Sequence, residues 1–151
     1  MRILSFLAIF VLTLLVMSCA EQPEGLEGSG VYMLVNGEEW LADDFNATIN
    51  RDEGFYQLVA TSATQDISLE IEVEDTQIGD YDGSEARIIY QDGSRVYRSE
   101  GHDISVNIAR ISTAEGITAG AFEGILSTSG EDDILELENG EYDGVRFVEV
   151  N

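Results

Sequence analysis

From Val31 onward, apolar and polar residues alternate along the chain with a period of two. Ile67, Leu69, Ile71 and Val73 interleave with Ser68, Glu70 and Glu72, and Ile104, Val106 and Ile108 with Ser105 and Asn107. Such alternation puts one face of a strand in a core and the other in water, the habit of antiparallel sheets. The run from Phe55 to Ala60 is apolar on both faces. Asn36-Gly37, Asp92-Gly93, Glu115-Gly116 and Asn139-Gly140 separate apolar stretches and supply the positive φ angles of tight turns. Strands are predicted at 31–35, 38–42, 45–50, 55–62, 66–74, 86–91, 94–99, 103–112, 117–128, 134–138 and 141–149. No segment keeps a 3.6-residue apolar period over three turns, so little helix is expected. The fold class is all-β: an antiparallel β-sandwich of about 8–11 short strands, with a closed β-barrel as the alternative.

The N-terminus follows another pattern. Met1-Arg2 precedes an apolar run from Ile3 to Met17, broken only by Ser5 and Thr13, and Val16-Met17-Ser18-Cys19 closes it. The run falls short of the roughly 20 residues that span a bilayer, and reads as a signal peptide. Its end resembles the lipobox of bacterial lipoproteins, although Val16 and Met17 depart from the commoner leucine and small residue. The resemblance implies that the Cys19 thiol is acylated and becomes the new N-terminus. Residues 1–18 are thus expected to be removed, 19–30 (with the only proline and three glycines) to form a flexible lipidated tether, and 31–151 to form one antiparallel β domain.

Charge narrows the partners. The chain holds 7 basic and 30 acidic residues, and every basic residue is arginine. Losing Arg2 with the signal peptide leaves 6 against 30, a balance of −24. Such a surface repels phosphate backbones and anionic headgroups. Nucleic acid is therefore not an expected partner, and the membrane is held only through the N-terminal lipid. A protein or glycan partner stays open.

Reactive groups are scarce. Cys19 is the only cysteine and is assigned to lipid, and His102 is the only histidine. No G-x-S-x-G segment accompanies it, so no Ser-His-Asp machinery is expected and no catalytic residue is assigned. A lone histidine without a free thiol also makes a zinc or copper site unexpected. No cofactor is called for, with one candidate exception. Asp80-Tyr81-Asp82-Gly83-Ser84-Glu85 packs three carboxylates and a glycine into what reads as a loop, and hard oxygen donors there suit Ca²⁺. Asp80, Asp82 and Glu85 are its candidate metal ligands; Glu131-Asp132-Asp133 is a second acidic cluster. Trp40, with Tyr32, Phe45 and Phe55 near it in sequence, is a candidate ligand-binding aromatic, set against a plain core role. Tyr90 and Tyr97 are placed to pair across a hairpin.

These residues resemble a family. VNGEEWLA at 35–42, Gly79-Asp80-Tyr81, Gly120-Ala121-Phe122-Glu123-Gly124 and Asn139-Gly140-Glu141-Tyr142 are similar to the short motifs of small Bacteroidota-type envelope lipoproteins that carry a domain of unknown function. The resemblance implies an antiparallel β domain on the cell envelope and brings no catalytic residues. The expected function is that of an envelope lipoprotein anchored to the outer membrane and acting as a non-enzymatic binding or interaction module. The alternative is a calcium-dependent carbohydrate- or polymer-binding module.

Overall fold

A computed structural model describes residues 28–100, 102–129 and 133–150. The expected signal peptide, Cys19 and nearly all of the expected tether lie outside the described residues. All regular structure within them is strand: β1 (Gly30–Val35), β2 (Glu38–Leu41), β3 (Asp44–Asn50), β4 (Phe55–Ser62), β5 (Ile67–Val73), β6 (Gly79–Asp82), β7 (Ala86–Asp92), β8 (Arg95–Arg98), β9 (Ile104–Ser112), β10 (Ile117–Ser127) and β11 (Ile134–Val150).

The eleven strands make one mixed sheet in the order β2-β1-β11-β3-β4-β5-β7-β8-β10-β9-β6, with a further pairing of β11 to β10. That extra pairing folds the sheet back on itself. One run, β2-β1-β11-β10-β9-β6, faces the other, β3-β4-β5-β7-β8. They join where β11 meets β3 and where β10 meets β8 through the single pair Ser127–Arg98. The purely antiparallel expectation needs one correction: β11 and β3 are parallel, Phe147 to Val150 lying beside Ala47 to Asn50. β11 is 17 residues long, so its first part can lie between β1 and β10 while its end crosses to the second run. β3 is far away in sequence, so no tight turn imposes an antiparallel sense.

Two local expectations also change. Residues 79–82, read as part of a loop, form β6, an edge strand paired with Ile108 to Ser105. Asn139-Gly140 does not turn the chain but bulges β11: Asn139 has φ 49°, and the register slips against both neighbours there. A bulge places two residues opposite one, and this one uses at Asn139 the same positive φ as a tight turn. Asn36-Gly37 does form the β1–β2 hairpin turn, with φ of 50° and 82°, and Asn36 is tied to Glu136 by two hydrogen bonds of 2.9 and 2.8 Å.

The inward faces of both runs form one core. At its centre Tyr56 of β4 reaches across to Thr118 of β10, whose hydroxyl donates to the Arg110 carbonyl at 2.9 Å. Tyr142 of β11 donates to the Asn107 carbonyl at 3.3 Å. β10 and β11 meet through a reciprocal device. Gly120 lies opposite Tyr142, and Phe122 lies opposite Gly140. A Cβ on Gly120 would stand 2.0 Å from the Asn107 carbonyl oxygen and 2.5 Å from the Tyr142 hydroxyl; one on Gly140 would stand 2.4 Å from the Phe122 carbonyl oxygen. Each glycine thus makes room for the aromatic ring of the facing strand, an arrangement that pins register.

All six tyrosines are buried. Burial pushes the Tyr90 phenol up to about 12, and raises Tyr56 and Tyr142 as well. The unfolded chain ionises its tyrosines near pH 10, so above that pH it binds fewer protons than the fold does. Stability is therefore fully present below about pH 10 and drains between roughly pH 10 and 12. In a titration, ionisation of Tyr56, Tyr90 and Tyr142 should coincide with loss of near-ultraviolet circular dichroism in one cooperative step. Tyrosinate appearing gradually near pH 10 with the fold intact would contradict this.

Candidate functional site

Four connections meet at one end of the folded sheet: the β1–β2 turn, the β4–β5 turn, the β7–β8 turn and the segment leading into β11. They surround a cleft of about 460 Å³. Trp40, Tyr90, Tyr97 and Leu135 line it and are at most 5 % exposed. Around them stand the exposed side chains Glu38, Glu39, Asp92 and Arg95, with Asp133 partly buried. Tyr90 and Tyr97 pair directly across β7–β8, as expected, with ring centroids 6.2 Å apart and planes tilted by 56°. The Tyr97 hydroxyl donates to Asp133 at 2.8 Å, and Arg95 lies 3.6 Å from the same carboxylate. Hydrogen bonding to Tyr97 and the charge of Asp133 hold the Arg95 guanidinium above its ordinary range.

The structure gives Trp40 the core role weighed for it and also places it at a cleft. It sits on β2 opposite Met33 inside the core, and it also lines the cleft. Its indole Nε1 has less than 1 Å² of exposed surface and no hydrogen-bond partner among the described residues. The only other such atom among them is the hydroxyl of Tyr32, on the same hairpin. A buried donor left unpaired costs about 1–3 kcal/mol, so this hairpin is where the fold tolerates a polar deficit.

The candidate calcium ligands are not drawn into one cluster. Asp80 and Asp82 point outward from β6 on either side of the buried Tyr81. Asp80 accepts from the Asn107 amide at 2.7 Å. Asp82 accepts from the Ser84 hydroxyl at 2.6 Å and from its backbone N–H at 2.8 Å, and these bonds lower its carboxyl below the ordinary range. Glu85 instead lines a smaller cleft of about 330 Å³ with Glu72, Glu74, Arg87 and Glu100. Among the described residues, no group of three His, Cys, Asp or Glu side chains is arranged to hold a metal ion.

His102 Nε2 lies 2.8 Å from the Ser127 hydroxyl, a distance compatible with base and nucleophile. Neither residue lines the Trp40 cleft. Among the described residues no carboxylate hydrogen-bonds the imidazole to orient it, and the contact ties the start of β9 to the end of β10.

Sequence reasoning missed most of this site because its parts are remote in the chain. Gln65 and Asp133 enter the cleft from loops about 70 residues apart, and no local pattern marks either. The Asn-Gly and Asp-Gly turns were the available signal, since hairpin turns of one parity gather at one end of a sandwich.

Residues 29–145 match the family model described as a domain of unknown function (DUF6252), and the chain belongs to that family. No curated protein and no solved structure matches it.

Proposed function

We propose that this chain is a lipid-anchored, non-enzymatic binding module of the cell envelope, held to the outer membrane through Cys19, with the Trp40 cleft as its binding site. The observation that supports this reading is the convergence of four connections around one cleft lined by Trp40, Tyr90 and Tyr97. Loops carried on a rigid sheet are where such scaffolds place recognition. The scarcity of nucleophiles, and a histidine engaged away from the cleft, favour binding over chemistry.

A second reading, a carbohydrate- or polymer-binding module, is favoured by Trp40, Tyr90 and Tyr97 lying beside carboxylates. Its calcium-dependent form would need Asp80, Asp82 and Glu85 to converge. Heteronuclear NMR separates the two. Adding Ca²⁺ is expected to leave the melting temperature and the 80–85 resonances unchanged. Soluble peptides and oligosaccharides, screened in turn, should include one that shifts resonances around Trp40. Shifts confined to 80–85 on adding Ca²⁺ would favour the calcium-dependent module; a panel that never perturbs the cleft would overturn the placement of the site.

A further inference from the structure

We infer that the Trp40 cleft takes a basic peptide segment in extended conformation, added as a further strand along the free edge of β2. This rests on the binding-module reading and names its ligand class.

Among the described residues, β2 ends the strand order and has only β1 beside it. The Ala42 N–H donates to the Val31 carbonyl at 3.0 Å. By the period of two, the backbone groups of Trp40 and Glu38 also face β1, and those of Glu39 and Leu41 face outward with no strand to meet them. Such an edge is a template for an added strand. Leu41 is 58 % exposed and offers that strand an apolar contact.

Charge selects the occupant. Glu38, Glu39 and Asp92 stand around the cleft without an ion-pair partner among the described residues, where Arg95 is the one cation. A second copy of this chain would bring the same carboxylates to the same edge and be repelled. A lysine- or arginine-bearing segment would be drawn in, its cation lying between these carboxylates and the aromatic floor. A peptide also carries main-chain carbonyls. Trp40 lines the cleft and its buried Nε1 has no acceptor among the described residues; a main-chain carbonyl is the kind of acceptor it lacks. Free amines have no such acceptor, and sugars have no strand to offer the edge.

The sole tryptophan is itself the reporter. The purified full chain in detergent would be titrated with a short peptide alternating valine and lysine, with the same peptide carrying glutamate for lysine, and with a neutral β-linked glucose oligosaccharide. The lysine peptide is expected to change Trp40 emission saturably and more weakly at high salt, and the other two to leave it unchanged. Leu41→Pro removes an outward N–H without touching a β1 bond and should weaken binding about tenfold or more. Glu38→Gln with Asp92→Asn should do the same and flatten the salt dependence. Unchanged melting temperatures would show that both variants fold. If Leu41→Pro does not fold, hydrogen exchange of the Glu39 and Leu41 amides, slowed by the lysine peptide only if a strand is added, decides in its place. A response to the oligosaccharide alone would overturn the peptide inference and leave the binding module standing. Silence to all three would remove both from this cleft.

Discussion

Replacing Gly120 with alanine is expected to lower stability by about 3 kcal/mol or more, a large part of the roughly 5–15 kcal/mol that holds a domain folded. The new methyl group would stand 2.0 Å from the Asn107 carbonyl oxygen of β9 and 2.5 Å from the Tyr142 hydroxyl of β11. A flexible side-chain tip could retreat, but a backbone carbonyl in a ladder cannot. The strain would therefore spread into β9, β10 and β11 together, and Tyr142 would lose its seat in the core. Gly140→Ala should behave alike, because its Cβ would meet the Phe122 carbonyl oxygen at 2.4 Å. Gly79→Ala is the control. It carries the same glycine-x-aromatic spacing, but its Cβ would meet only the Tyr81 ring at an ordinary 3.4 Å or more, so its effect should stay within about 0.5 kcal/mol. Thermal melts decide the matter: the first two variants should melt roughly 10 °C lower or fail to accumulate. A Gly120→Ala protein that melts with the parent would show that the reciprocal packing is not what holds these strands.

Cys19→Ser is expected to abolish labelling by a fatty-acid analogue completely. No other cysteine exists to take an acyl chain. Each buried methylene contributes about 0.8 kcal/mol to membrane attachment, so the several chains of a bacterial lipoprotein outweigh any repulsion between a strongly acidic domain and anionic headgroups. Label persisting on the serine variant would refute the lipid assignment outright. Protease shaving of whole cells then separates surface display from a periplasmic location.

Much of the fold was legible because its strands are half wet. β5 from Leu69 and β9 as far as Ile108 alternate, and their predicted and observed limits agree within a residue or two. The Tyr90–Tyr97 pair could be read because a hairpin makes cross-strand neighbours local. β6 was not legible: it is four residues long, buries only Tyr81, and sets two aspartates around it, which looks like a solvated loop. The Asn139-Gly140 bulge was misread because positive φ serves turns and bulges alike, and only the partner strand tells which. The parallel β11–β3 pairing is a long-range choice that no local pattern encodes. The short Gly-x-aromatic motifs acquired a physical meaning only when Gly120 was seen facing Tyr142. Trp40 was identified as a candidate, but its neighbours in the cleft come from three other parts of the chain.

The direction of β1 has a further consequence. β1 runs from Gly30 to the cleft at Val35 and Asn36, a length of about 20 Å. The residues between Cys19 and Gly30 add at most roughly 40 Å of contour. Under the lipid anchor proposed at Cys19, the cleft would lie within about 60 Å of the bilayer. A partner fixed to the same or a facing surface meets it at a high effective concentration, whereas a diffusing one gains nothing. Modest affinity in solution would then suffice for durable capture between two surfaces, and a dilute assay would underrate the interaction by orders of magnitude.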